Sequence, residues 1–207
     1  MKVLLVNGSP RANGCTFTAL TEIASVLNSL DIETEILQTG NKPVQDCISC
    51  GGCVGKGKCV FTDDCVNELI AKAETADGFV FGTPVYYAHP TGRILSVLDR
   101  AFYAGGKYFE HKPAAVIASA RRAGTTLSVD VLSKYLGIKQ MPTVTSSYWN
   151  MVHGNTPEQV RQDAEGMQTM RNLGANMAWL LKCIEAGKNA GITKPQNTTS
   201  VRTNFIR

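Results

Sequence analysis

The residues able to do chemistry concentrate in two glycine-rich stretches. Cys47-x2-Cys50-x2-Cys53-x5-Cys59 places four thiols within 13 residues, and Cys65 lies just beyond them. A two-residue spacer lets a tight turn aim successive sulfurs at one inorganic centre. Gly51, Gly52, Gly55 and Gly57 permit the left-handed backbone such a turn needs. Three closely spaced cysteines and a fourth form the kind of run that holds a 4Fe–4S cluster, here without the proline that usually follows. Structural zinc more often uses two separated C-x2-C knuckles and fits this compact run less well. A loop of free or disulfide-linked thiols is the third reading. The other stretch is Gly8-Ser9-Pro10-Arg11-Ala12-Asn13-Gly14-Cys15-Thr16, set between an apolar run and a helical pattern. A helix N-terminus there presents unpaired N–H groups and partial positive charge. Ser9, Thr16 and Thr18 add hydroxyls and Arg11 a charged fork, a set that suits a phosphate monoester. Neither the G-x-G-x-x-G spacing of a dinucleotide fold nor the lysine of a P-loop is present. The plainer alternative is a tight turn with an ordinary helix cap.

Further loops extend the pattern. Gly82 to Pro90 (GTPVYYAHP) is stiffened by two prolines and carries Tyr86 and Tyr87, which point to different sides of a strand end. A planar ring stacks well on such a shelf. Ser119 to Thr126 (SARRAGTT) adds donors and a flexible glycine, and Tyr148 and Trp149 offer partial cover or packing. His89 and His153 stand without the Ser/Asp pattern of a triad and receive no catalytic role. Lys56, Lys58, Asp63 and Asp64 read as a solvated rim of the cysteine run, and Cys183 as a small buried hydrophobe.

The elements that position these loops alternate. Strands are predicted over 2–7, 32–37, 78–82, 114–119 and 141–147, and helices over 16–30, 65–75, 91–103, 125–136 and 157–186, the last opening on a proline. Such alternation gives an α/β fold, a doubly wound five-stranded parallel sheet with right-handed crossovers and a Cys-rich insertion after strand 2. Ligands of such sheets sit at the carboxyl ends of the strands, where these loops lie. Residues 1–187 form one domain, with 40–65 the Cys-rich loop, and 188–207 a polar tail or docking arm. Charged residues make up 18% of the chain and apolar ones 43%, which excludes intrinsic disorder. The net charge of +4, without a long basic run, argues against a nucleic-acid or membrane partner. No apolar stretch is long enough to cross a bilayer and no secretory pattern follows Met1, so the expected location is the cytoplasm, with reduced cysteines.

Taken together, GSPRANG-C-T, TPVYYAHPTGRILSVLDR, SARRAGTT and SYWNMVHG resemble the NADPH-dependent FMN reductase family of flavodoxin-like proteins, and more narrowly its iron–sulfur flavoprotein branch. The resemblance implies sheet order 2-1-3-4-5. It implies FMN with its phosphate on Ser9, Arg11, Thr16 and Thr18, in a loop that also holds Asn13 and Cys15. Cys15 stands where relatives often carry Asn, and a thiol is the poorer donor. The isoalloxazine would lie along Pro84, Val85, Tyr86 and Tyr87, with Ser119, Arg121, Arg122 and Gly124 nearby. Cys47, Cys50, Cys53 and Cys59 would be ligands of a 4Fe–4S cluster. The implied activity is an FMN-dependent NAD(P)H oxidoreductase that passes electrons to a quinone, a small molecule or an iron–sulfur acceptor. No side chain need be an obligatory acid or base, because flavin N5 carries the chemistry. The alternatives are a relay between protein partners such as a ferredoxin, and a metal-binding regulatory module on the same scaffold. A homodimer or homotetramer is expected, with Phe205 and Arg207 of the tail as a docking arm.

Overall fold

The computed structural model describes residues 1–198, 200, 201 and 203. Five parallel strands form the sheet: β1 (Lys2–Asn7), β2 (Glu33–Gln38), β3 (Gly78–Tyr86), β5 (Ala114–Ala120) and β6 (Met151–His153), in the order β2-β1-β3-β5-β6. The two-residue strand β4 (His89–Pro90) folds back antiparallel on the end of β3. Omitting that hairpin strand, the order is the expected 2-1-3-4-5, with the Cys-rich segment following β2.

Alternation along the strands divides the core into two layers. Val3 and Leu5 of β1, Val80 of β3 and Ala115 and Ile117 of β5 pack against α1 (Cys15–Ser29) and α6 (Ala164–Asn189). Leu4, Val6, Phe79, Phe81, Ala114 and Val116 face the other layer, formed by α2 (Val66–Thr75), α3 (Gly92–Gly105) and α4 (Thr125–Ile138). Phe79, Phe81, Phe102 and Phe109 cluster in that second layer, their neighbouring ring centroids 4.4 to 6.0 Å apart.

Three expectations are corrected. The last strand is 151–153 rather than 141–147, which touches β5 only through a bridge from Thr143 to Ala114. The β-branched composition of 141–147 suits a strand, but α6 draws the chain off the sheet: Asn176 donates to the Thr145 carbonyl, Asn172 to the Ser147 hydroxyl, and Ser146 donates to the Thr169 carbonyl. The long helix expected over 157–186 is split into α5 (Pro157–Gln162) and α6 because Asp163 leaves helical geometry and caps α6, accepting from the Gly166 N–H at 3.0 Å. Gly166 tolerates this closeness because it has no side chain; a Cβ there would lie 2.3 Å from the Asp163 carboxylate. Cys183 is exposed, on the outward face of α6, while Met177, Ala178 and Leu181 take the inward one. The docking arm assigned to Phe205 and Arg207 falls outside the described residues. Among the described residues, no helix is long and apolar enough to cross a membrane.

The phenylalanine cluster gives a direct check of this core. Phe109 is fully buried, so Phe109→Ala is expected to lower the unfolding free energy by about 3–5 kcal/mol in a urea titration. Ile138→Ala, on the exposed end of α4, is expected to change it by about 0.5 kcal/mol or less.

Candidate functional site

Three loops leave the sheet at the carboxyl ends of β1, β3 and β5. The first is clamped from below. Asn7, the last residue of β1, is fully buried. Its carboxamide accepts from the Ser9 N–H at 3.1 Å, donates to the carbonyls of Arg11 and Ala12 at 3.4 Å each, and meets the Gln38 side chain. Gln38 in turn donates to the Ser9 carbonyl at 2.7 Å. The Gly8 N–H donates to the Gly82 carbonyl at 2.8 Å, tying the first loop to β3. Both glycines are needed for close approach: a Cβ on Gly8 would lie 2.7 Å from that carbonyl, and one on Gly82 would lie 2.8 Å from the Thr16 methyl. Asn7 and Gln38 carry no motif of their own; the signal in the sequence is a carboxamide closing each of two neighbouring strands.

Above this clamp, α1 starts at Gly14 without a side-chain cap, so its first N–H groups are left for another acceptor. Ser9 and Thr16 are buried beside them. The Ser9 hydroxyl accepts from the Arg11 N–H, and the Thr16 and Ser119 hydroxyls share a 2.8 Å hydrogen bond that joins the loops after β1 and β5. Arg11 and Asn13 are exposed at the rim. Two expected donors point elsewhere: the Thr18 hydroxyl donates to the Gly14 carbonyl at 3.1 Å, and the Cys15 thiol approaches the Gly154 carbonyl at 3.6 Å. Burial raises the Cys15 pKa above its ordinary value.

The second and third loops pack on each other. Tyr87 and Ala88 turn the β3–β4 hairpin with φ of +51° and +60°, a conformation that costs about 1–3 kcal/mol per non-glycine residue. The turn leaves Tyr86 and Tyr87 exposed and Pro84 and Val85 half-buried. Gly124 caps α4 at φ +95°, and a Cβ there would lie 2.4 Å from the Ala88 Cα. Arg121 and Arg122 are exposed. The Arg122 carbonyl is 3.1 Å from Nε2 of His153, whose own N–H donates to the Asp163 carboxylate at 2.6 Å. Tyr148 and Trp149 form an exposed edge-to-face pair, ring centroids 4.5 Å apart.

The cysteine segment crosses a different face, over α2 and α3. Cys47, Cys50, Cys53 and Cys59 all line one cavity of about 250 Å³, together with Phe61, Arg100 and Tyr103. Left-handed backbone falls at Gly51, Gly55 and Gly57, and also at Ser49. Among the described residues, no three His, Cys, Asp or Glu side chains are gathered closely enough to hold a metal ion. The cysteines therefore wall a common space without converging at one point. Asp64, expected on a solvated rim, is buried, its side chain 6% exposed, because it pairs with the buried Arg100. Cys65 lies outside the cavity wall, and burial first, then the Asp64 charge, pushes its thiol pKa up to about 11.

The sequence model of the NADPH-dependent FMN reductase family matches residues 1–156. An iron–sulfur flavoprotein of Methanocaldococcus jannaschii is 30% identical over 89% of this chain and 100% of its own length. Among solved structures, RosB with bound 8-demethyl-8-formylriboflavin-5'-phosphate superposes with a TM-score of 0.68 at 16% identity, covering 100% of this chain and 96% of its own. A flavodoxin from the domain Archaea superposes with a TM-score of 0.60 at 13% identity, covering 88% and 99%. At these identities the two structures show the shared flavodoxin-like fold.

Two outcomes follow from this geometry. Gly124→Val is expected to lower the unfolding free energy by about 2 kcal/mol or more, through backbone strain and the clash with Ala88, as read by denaturant unfolding. Site-resolved alkylation should find Cys65 slow at neutral pH, its rate rising about tenfold per pH unit until it levels off near 11.

Proposed function

The chain belongs to the NADPH-dependent FMN reductase family, in its iron–sulfur flavoprotein branch, and from that premise we propose that it is an FMN-dependent oxidoreductase drawing electrons from NADH or NADPH. The observation that carries this is the uncapped start of α1, held by Asn7 and Gln38 against the buried hydroxyls of Ser9 and Thr16. The donor chemistry fits a phosphate monoester: backbone N–H groups at a helix N-terminus, a buried hydroxyl, and the Arg11 guanidinium at the rim.

Each loop has its own task. Ser9, Arg11, Asn13 and Thr16 hold the phosphate end, and Cys15 and Thr18 shape the loop through their bonds to backbone carbonyls. Pro84, Val85, Tyr86 and Tyr87 form the shelf for the ring, and Gly124 keeps the loop of Ser119, Arg121 and Arg122 pressed against that shelf. The left-handed backbone at Tyr87 and Ala88 turns the chain back into β4 and so sets the direction of the shelf. When bound there, FMN supplies hydride acceptance from a nicotinamide nucleotide and delivery of electrons to an acceptor. No side chain of the three loops is required to donate or remove a proton in this scheme.

A second reading is favoured by the cysteine cavity: the four thiols hold a 4Fe–4S cluster, and the protein relays electrons to a partner of the ferredoxin type. The donor chemistry is of the kind such a group takes, since four cysteine sulfurs line one cavity. Anaerobic purification with absorbance spectra and iron analysis tests the cluster. Steady-state oxidation of NADH and NADPH separates enzyme from relay: turnover with a quinone supports the enzyme, whereas fast reduction by ferredoxin without nicotinamide turnover supports the relay. Protein that is colourless and stays free of flavin after incubation with FMN refutes both.

Phosphate recognition is testable with two ligands. Wild-type protein is expected to bind FMN far more tightly than riboflavin in fluorescence-quenching titrations. Ser9→Ala combined with Arg11→Gln should weaken FMN binding by about tenfold or more, given roughly 1.5–3 kcal/mol for a charge-assisted hydrogen bond, and leave riboflavin binding almost unchanged.

A further inference from the structure

Arg100 is 1% exposed on α3, the helix that floors the cysteine cavity, and it lines that cavity itself. A buried guanidinium is costly unless its donors are paired. Here four of the five N–H groups, from all three nitrogens, are directed at the cysteine segment. Nε donates to Cys59 Sγ at 3.3 Å, Nη1 to the Gln45 carbonyl at 3.1 Å and to the Asp64 carboxylate, and Nη2 to the Phe61 carbonyl at 3.2 Å. The guanidinium also lies 5.3 Å from the Phe61 ring centroid. One side chain thus grips the loop at residues 45, 59, 61 and 64. From α2, Asn67 holds the same stretch by its backbone, accepting from the Cys59 N–H at 2.8 Å and donating to the Cys59 and Phe61 carbonyls at 3.0 and 2.9 Å. Cys59 is therefore held on its backbone by Asn67 and on its sulfur by a cation. It is also the one buried thiol among the four; Cys50 is exposed and Cys47 and Cys53 are intermediate.

We propose that Arg100 is a positioning and potential-setting residue for the cysteine cavity: it fixes the Cys59 sulfur as the anchored ligand and makes the cluster held there easier to reduce. This deepens the proposal that the four cysteines hold a 4Fe–4S cluster, and it rests on that reading. One-electron reduction, with reduced flavin as the donor, adds one negative charge to a site already carrying four thiolates and makes or breaks no covalent bond. A buried cation with an N–H aimed at a ligand sulfur stabilises that added charge directly. Asp64 balances the guanidinium through Nη1, which permits burial while leaving Nε for Cys59.

The test uses the full-length chain, purified anaerobically and reconstituted with iron and sulfide. Arg100→Gln alone strands Asp64 as a buried charge, so the informative variant is Arg100→Gln with Asp64→Asn, which removes the pair together. Its cluster midpoint, titrated with dithionite and read by electron paramagnetic resonance, is expected to fall by at least a tenfold change in the reduction equilibrium, 59 mV for one electron. The flavin midpoint in the same sample should stay in place. Arg100→Lys, which keeps a charge but loses the fork, should fall between the two. Loss of cluster iron from the double variant with flavin retained supports the positioning role. Full iron with a cluster midpoint equal to wild type in both variants overturns the proposal while leaving the cluster reading intact. Wild-type protein that takes up no cluster under these conditions overturns both.

Discussion

Neighbouring strand ends of a parallel sheet can become a binding site only if their loops approach more closely than side chains normally allow. In this protein that approach is made at three glycines. The Gly8 N–H reaches the Gly82 carbonyl, the Gly82 Cα faces the Thr16 methyl, and the left-handed Gly124 sits against the Ala88 backbone. A Cβ at any of the three would fall 2.8 Å or less from another atom. The hydroxyl pair of Thr16 and Ser119 then spans the gap that remains. The start of α1, the tyrosine turn and the arginine loop form one surface because these contacts hold them together.

The cysteine segment follows a different logic. Residues 39–65 contain no helix or strand, so their backbone groups and direction must be set by side chains from elsewhere. Arg100 and Asn67 provide this from α3 and α2, which also pack on the phenylalanine layer of the sheet. The thiols are consequently anchored to the rigid part of the molecule at one end, Cys59, while the Cys47–Cys53 turns lie nearer solvent. An electron centre at this place would be tied to the sheet at Cys59 through the Arg100 guanidinium and the Asn67 amide.

Much of this organisation was legible in the residues. Short apolar runs and the helical stretches between them placed four of the five parallel strands, because a strand buried on both faces, as β1 and β5 are, reads as a continuous apolar run; the sheet order was implied by the family resemblance. The fifth strand was misplaced since Met141 to Ser147 has strand composition, while its hydrogen-bonding partners proved to be asparagines of α6. The helix break at Asp163 carried a capping signal that the longer apolar periodicity concealed. Asp64 read as solvated because nothing local to it reveals an arginine 36 residues away.

What the sequence determined by itself was the fold class, the loops that bear chemistry, and the family, since these depend on periodicity and on short motifs that one stretch of chain contains whole. What the tertiary structure decided was which groups in those loops are free to act. It turned the Thr18 hydroxyl and the Cys15 thiol toward backbone carbonyls, and raised Asn7 and Gln38 from strand ends to supports of the first loop. It also brought Arg100 beneath Cys59. The physical reason is the same throughout: a polar group withdrawn from water must find its partner wherever packing puts one, and that choice is made across the fold rather than along the chain.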